Sequence, residues 1–324
     1  MTTKMPIVIQ GAANADDVPG ITALHPVAEL RFASTTDTLR DMLPGAQALF
    51  GWDFRAESLQ DAWHAADTLR WVHWSGAGVD AVLFPQLANS DVVLTNSRGI
   101  YDRAMAEYVL GTVIAFAKGF PETWSLQAAR RWKHRFSDII EGRCVLIVGV
   151  GSIGRAIATL LQSVGLGVSG IGRRARRDDE VFGTVHGIAT LNEHLPMADY
   201  VVVVTPLTPA TAGLFDAPQF RAMKSSAVFI NVARGAVVNE AALIDALSRR
   251  EIAAAGLDVF ATEPLPVDSP LWSMPNVMIS PHMSGDFHGY TQAVAELFIA
   301  NFHRFLAGKP LRNVVDKGLG FVTA

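Results

Sequence analysis

From Cys144 to Gly165 the chain reads "CVLIVGVGSIGRAIATLLQSVG", an apolar run, three closely spaced glycines and an amphipathic stretch. The apolar run is too short for a helix and reads as a buried strand, whereas the stretch from Ser152 onward has helical periodicity. A strand that passes directly into a helix through Gly149, Gly151 and Gly154, spaced as G-x-G-x-x-G, admits few folds. The first glycine allows a tight turn, the second leaves backbone bare enough for a diphosphate to lie against it, and the third lets helix and strand pack closely. The N–H groups at the start of the helix then face the anion. The expectation is a parallel α/β sheet that binds a dinucleotide.

The rest of the chain keeps the same rhythm of short apolar runs alternating with helical patterns. Candidate strands are "MPIVIQ", "QALFGW", "LRWVHWS", "VVLTN", "CVLIVGV", "GVSGIG", "DYVVVVT", "AVFINV", "AAGLDVF" and "NVMISP". These are too many for one small sheet, and 324 residues suffice for two domains of ordinary size. After Asn96, Met105, Val109, Val113 and Phe116 recur at helical spacing, and the domain boundary is placed at the start of that segment. A last helical pattern, "YTQAVAELFIANFHRFLAG", runs to a stop at Gly308, after which the tail can return to the first domain.

A net charge of −4 offers no broad basic field for nucleic acid or an anionic membrane, so neither is an expected partner. No run approaches the ~20 apolar residues that span a bilayer. The start, "MTTKMPIVIQGA", reads as a first strand, not a signal peptide. The single cysteine, Cys144, excludes an internal disulfide, suits a reducing compartment and is expected to be an inert core thiol; the cytoplasm is the expected location. No histidine–carboxylate spacing suggests a metal, and none is predicted.

Cofactor type is read at the end of the next strand, "GVSGIG". A site for NAD would place a carboxylate there for the adenosine ribose hydroxyls. Gly172 stands at that place, followed by Arg173 and Arg174. A carboxylate would repel a 2′-phosphate, whereas a guanidinium binds one through paired, charge-assisted hydrogen bonds. NADP is therefore the expected cofactor, with NAD the alternative. Bonds worth ~1.5–3 kcal/mol each would favour NADPH by about ten- to a few hundred-fold. Arg176 and Arg177, beside Asp178 and Asp179, read as a solvated basic turn.

Three further strands end in polar residues: "AVFINVARG" in Arg234, "AAGLDVFATEP" in Asp258 and Glu263, and "NVMISPHMSG" in His282. Ligands of open parallel sheets sit outside the carboxyl ends of the strands. Hydride exchange between a nicotinamide and a 2-oxo or 2-hydroxy acid needs what these residues offer. Histidine exchanges a proton near neutral pH, and a carboxylate, here Glu263, orients its ring. Arg234 can clamp the substrate carboxylate and balance charge on the carbonyl oxygen. Asp258 either supports the site from behind or binds the nicotinamide carboxamide. Trp52, Trp74, Tyr101 and Met283 are candidate pocket walls, with ordinary core the competing reading.

Taken in order, "GVGSIG", "TPLTPATAGLF", "NVARGAVVNEAAL", "GLDVFATEP" and "SPHMSG" resemble the D-isomer-specific 2-hydroxyacid dehydrogenase family, and "SGAGVD" and "LRNVVDKGLG" extend the likeness across nearly the whole chain. The resemblance implies two doubly wound parallel-sheet α/β domains, Rossmann-like and flavodoxin-like, with a cleft between them. The substrate domain would be discontinuous, 1–98 with 288–324, around a dinucleotide-binding domain of 99–287. It implies Arg234 as substrate anchor, Glu263 as histidine partner and His282 as acid–base residue, with backbone of Ala77 and Gly78 on the substrate carboxylate. The implied cofactor-binding set is Gly149, Gly151, Ser152, Ile153, Gly154, Arg173, Arg174, Thr205, Pro206, Ala233, Asp258 and Ser284. Members form dimers through their cofactor domains, which makes a homodimer the expected state and the helix Asp102 to Lys118 a candidate contact.

Glutamate at 263 disfavours formate, because formate dehydrogenases of the superfamily have glutamine there. The regulatory domain that many phosphoglycerate dehydrogenases carry after the catalytic core is not expected in this chain. Glyoxylate, hydroxypyruvate or a larger 2-oxo acid remains as substrate. The competing class is a dinucleotide-sensing binding protein or corepressor with little turnover on the same fold, which the absence of long disordered or basic stretches disfavours.

Overall fold

The computed structural model describes residues 4–54 and 58–323. The chain divides into two compact units, Met1–Tyr101 with Phe287–Ala324, and Asp102–Asp286. The junctions fall at 101/102 and 286/287 in place of 98/99 and 287/288. Tyr101 stays with the first unit because its buried hydroxyl donates to the Ser75 carbonyl at 2.6 Å, and Asp102 opens the helix Asp102–Ala117.

Five strands build the first unit: β1 (Met5–Gln10), β2 (Ala28–Ala33), β3 (Ala48–Gly51), β4 (Trp71–Trp74) and β5 (Val93–Asn96). Their order is β2-β1-β3-β4-β5 and every pairing is parallel, the flavodoxin-like arrangement. β2 was not foreseen because an edge strand needs no continuous apolar run. Its Arg31 instead donates to the carbonyls of Met42 and Pro44 at 3.1 and 2.7 Å.

The helix Tyr290–Leu306 covers this sheet, with the Phe298 ring stacked on Phe50 at 4.2 Å and on Trp71 at 5.3 Å. It ends where the glycine signal placed the stop: Gly308 has φ +63° and the Lys309 N–H returns to the Arg304 carbonyl at 2.9 Å. The tail then pairs antiparallel with β5 at Thr95 and Val314. Lys317 ties it down by donating to the carbonyls of Leu87, Ser90 and Val92. Under the stacked aromatics His73 is fully buried, and burial pushes its imidazole down to about 3.

The second unit is a sheet of eight strands: β6 (Cys144–Val148), β7 (Gly167–Gly172), β8 (Arg176–Asp179), β9 (Gly183–Gly187), β10 (Tyr200–Val203), β11 (Val228–Asn231), β12 (Ala254–Leu257) and β13 (Val277–Ile279). The order is β13-β12-β11-β10-β6-β7-β9-β8, parallel except for β8 against β9. The winding reverses at β6, between β7 and β10, and such a switch point is where an open α/β sheet binds ligands. The fold class is thus two doubly wound α/β units. Buried Leu146, Val148, Val201, Val203, Phe215 and Phe229 form part of this unit's core.

Two local expectations need correction. Arg176 is not part of a solvated turn; it lies in β8, and Asp179 beside it has a side chain only 2 % exposed. That carboxylate accepts from Arg155 at 2.5 and 3.0 Å and from Arg176 at 2.8 Å. Although burial opposes its charge, these bonds and the N–H groups of Phe182 and Val181 hold the carboxyl well below the usual range. Cys144 is exposed at the first position of β6, not a core thiol, because burial begins one residue later at Val145. Among the described residues no helix is long and apolar enough to cross a membrane.

Candidate active site

The glycine loop occupies the switch point, and each glycine has its own steric reason. Gly149 has φ +117°, and a Cβ there would come within 2.7 Å of the Val204–Thr205 backbone. A Cβ on Gly154 would lie 1.9 Å from the Gly149 carbonyl oxygen, so only glycine lets the helix Ser152–Ser163 sit so close to β6. Around Gly151 the space is open, with nothing within 4 Å of a Cβ. No side chain caps the N-terminus of this helix, so the N–H groups from Ser152 and Ile153 onward can meet an anion. The close approach of Gly149 places the Val204–Thr205 backbone, just past the end of β10, beside the loop, with Pro206 next in the chain. These residues fit a dinucleotide diphosphate.

At the end of β7 a Cβ on Gly172 would press on Val150 and Val185 at 2.9 and 3.0 Å. The place an NAD-type carboxylate would take is thus filled by apolar side chains, while Arg173 and Arg174 just beyond it are exposed.

Arg234, Glu263 and His282 come from the ends of β11, β12 and β13, neighbours in the sheet. Buried Asn231 closes the turn that presents Arg234: its Oδ1 accepts the Ala233 N–H at 3.0 Å and its Nδ2 donates to the Arg234 carbonyl at 3.2 Å. The Arg234 guanidinium donates to the Ala233 carbonyl at 2.8 Å. Gly235 packs on the next loop, because a Cβ there would lie 1.9 Å from the Phe260 backbone. In that loop Glu263 accepts the Phe260 N–H on Oε1 at 3.0 Å and meets His282 Nδ1 through Oε2 at 2.7 Å. Burial alone would raise the Glu263 carboxyl; the bonds from His282 and Phe260 and the charges of His282 and Arg234 outweigh it and hold the group below its ordinary value. Both His282 and Arg234 therefore act on the Glu263 carboxylate.

The His282 backbone is in the left-handed region, with φ +52°, a conformation that costs an L-residue roughly 1–2 kcal/mol and persists only where neighbours impose it. Asp258 imposes it. Its carbonyl accepts the His282 N–H at 2.8 Å. Its carboxylate accepts from Ser280 Oγ at 2.5 Å and from the N–H groups of Met283 and Ser284 at 2.9 Å each. Asp258 is fully buried, and its carboxylate is taken up by these three donors. Ser284 is buried beside it, and Ala233 lies under the arginine turn.

Ala77 and Gly78 belong to the first unit, in the loop after β4, where Asn96 Nδ2 donates to the Ala77 carbonyl at 2.6 Å. Of the suggested pocket walls, Trp74 is core, packed where a Cβ on Gly51 would lie 2.2 Å from its ring, while Met283 is exposed. Sequence reasoning missed Asn231 and Ser280, although both are polar residues at the ends of apolar strands, the same signal that exposed Arg234 and His282. Among the described residues no group of three or more metal-ligating side chains could hold a metal ion.

The sequence profile of the family described as "D-isomer specific 2-hydroxyacid dehydrogenase, NAD binding domain" matches residues 110–284. A glyoxylate/hydroxypyruvate reductase B from Citrobacter koseri is 38 % identical over 69 % of this chain and 71 % of its own length. The same enzyme from Salmonella schwarzengrund is 32 % identical over 90 % of this chain and 89 % of its own. Among solved structures, a D-isomer specific 2-hydroxyacid dehydrogenase from Xanthobacter autotrophicus in complex with NADPH is 33 % identical with a TM-score of 0.85, covering 98 % of this chain and 100 % of that one. An NADPH-dependent glyoxylate/hydroxypyruvate reductase from Sinorhizobium meliloti, in complex with NADP and sulfate, is 29 % identical with the same TM-score and coverage.

Proposed function

The chain belongs to the D-isomer specific 2-hydroxyacid dehydrogenase family and is a nicotinamide-dependent oxidoreductase; on that footing we propose that it reduces glyoxylate, hydroxypyruvate or a larger 2-oxo acid to the D-2-hydroxy acid with a preference for NADPH. The observation that carries this reading is the 2.7 Å bond between His282 and Glu263, with the charge of Arg234 acting on the same carboxylate. A carboxylate only accepts, so His282 donates through Nδ1, and Nε2 is the atom assigned to the substrate.

Bound NADPH supplies the hydride. The diphosphate is assigned to Gly149, Gly151, Ser152, Ile153 and Gly154, with Thr205, Pro206, Ala233 and Ser284 completing the cofactor site and Arg173 and Arg174 on the 2′-phosphate. Arg234 pairs with the substrate carboxylate and balances negative charge on the carbonyl oxygen, and Ala77 and Gly78 are kept in the substrate-binding set. His282 delivers its proton to that oxygen, and Glu263 holds the ring and stabilises its protonated form. In oxidation the same nitrogen takes the hydroxyl proton.

The test is the loss of NADPH absorbance with glyoxylate, hydroxypyruvate, pyruvate and phenylpyruvate in turn. Steady turnover on at least one acid is expected. Cofactor binding without turnover on any would replace the reductase by the dinucleotide-sensing reading.

A homodimer belongs to the same proposal, with a revised contact. Outward positions on the helix Asp102–Ala117 carry Arg103 and Glu107, which pair with each other at 2.6 Å. Exposed apolar side chains lie further on instead: Phe120, Trp124, Trp132, Phe136 and Ile139, with Trp132 and Phe136 essentially fully exposed. Several exposed aromatic and apolar side chains within twenty residues of the chain are the feature that supports this contact. The cytoplasm is kept as the location, in line with a single, unpaired cysteine.

A further inference from the structure

The network behind His282 extends beyond Asp258 to a tyrosine on another element. Tyr108, in the second turn of the helix Asp102–Ala117, lies 2.6 Å from Ser280 Oγ. The direction of that bond follows from the next one. Ser280 has a single hydroxyl hydrogen, and it is directed to Asp258 Oδ1 at 2.5 Å. Ser280 Oγ is therefore the acceptor toward Tyr108, and Tyr108 is the donor. Burial raises the Tyr108 phenol above its ordinary value; the contact with Ser280 opposes that rise and the charge of Asp258 adds to it.

The result is a one-way chain: Tyr108 donates to Ser280, Ser280 donates to Asp258, and Asp258 accepts the N–H groups on the far side of His282. Without the phenol, Ser280 Oγ could turn its hydrogen elsewhere and one of the three donors on Asp258 would be lost. The left-handed turn at His282 would then be less fully imposed, and its ring less firmly aimed.

We propose that Tyr108 is a positioning residue for the reaction: through Ser280 and Asp258 it locks the 280–284 segment and so sets the orientation of His282 toward substrate. The inference rests on the assignment of His282 as acid–base residue. It makes the helix Asp102–Ala117 a support for the catalytic histidine, in addition to its packing role.

Steady-state kinetics on Tyr108→Phe, Ser280→Ala and the double variant test it, with His282→Ala as reference and thermal melts as a check on folding. Tyr108→Phe removes one oxygen and is expected to lower kcat about tenfold, with KM for the 2-oxo acid and the melting temperature little changed, because misaimed chemistry and not lost binding is at stake. Ser280→Ala is expected to lower kcat further, and the double variant to match Ser280→Ala, since the phenol then has nothing to orient. The inference is overturned by a kcat in Tyr108→Phe within about twofold of the parent, by additive effects in the double variant, or by losses that follow the melting temperature. If His282→Ala abolishes turnover while Tyr108→Phe is silent, only this inference fails. Full turnover in His282→Ala removes the site assignment itself, and this inference with it.

Discussion

His282 and Arg234 illustrate how a side chain's role becomes measurable. His282→Ala is expected to lower kcat by about a hundred-fold or more with little change in KM, because proton delivery matters only in the transition state. Arg234→Ala should raise KM and lower kcat together, because the guanidinium both anchors the carboxylate and meets developing charge; unchanged constants in either variant would remove that role. Glu263 carries a pH signature. Its folded carboxyl lies below the ordinary value, so its contribution is complete above the ordinary carboxylate pKa and is lost as pH falls through the folded value. Denaturant melts should show the parent more stable than Glu263→Gln at neutral pH, with the gap closing in acid. A gap that stays constant with pH would mean the ionised Glu263 carboxylate contributes nothing. Each of these residue types was readable in the chain because each stands at the end of an apolar strand. Asn231 and Ser280 stand there too but escaped notice, since neither carries chemistry of its own; they act by holding backbone.

The strand–glycine–helix unit separates packing from binding within six residues. Gly154→Ala places a methyl 1.9 Å from the Gly149 carbonyl, and an overpacked contact of that kind should cost about 1–3 kcal/mol of stability. Gly151→Ala meets nothing within 4 Å, so stability should hold while NADPH affinity, followed by fluorescence titration, falls. Equal effects on stability in both variants would argue against a diphosphate seat at Gly151. β7 and the arginines beyond it offer a parallel measurement. Arg173→Ala with Arg174→Ala should bring the kcat/KM ratio of NADPH to NADH down by about ten- to a hundred-fold, and a ratio that does not move would take the 2′-phosphate from these residues. β6, β7, β10, β11, β12 and β13 were legible as apolar runs. β2, β8 and β9 were not, because edge and near-edge strands with charged or glycine-rich sequences draw their stability from partners such as Arg155 on Asp179, which lie far away in the chain.

At the level of the whole chain, acid stability and association are the properties to measure. His73 is neutral in the folded protein down to about pH 3, whereas the unfolded chain takes up the proton near ~6.5. The unfolded state thus binds more protons between those values, and stability contributed at this site falls by up to about 1.4 kcal/mol for each pH unit the solution drops through that window. A His73→Gln variant should lose this slope between pH 6 and 4, and an unchanged slope would refute the assignment. For association, sedimentation should give twice the mass of one chain. Replacing Trp132 and Phe136 with serine should release monomers; a parent chain already monomeric at tens of micromolar would end the dimer proposal.

Local rules were enough to read the alternation of strands and helices, the glycine loop and the residue types of the candidate site, because a strand–helix rhythm, a tight turn and a polar residue at a strand end each depend on neighbours in the chain. The left-handed backbone at His282, its support by Asp258, Ser280 and Tyr108, and the burial of Asp179 depend on groups that are distant in the chain and meet only after folding. No spacing or composition encodes those meetings, since a hydrogen bond is set by where two atoms lie in space and not by how many residues separate them.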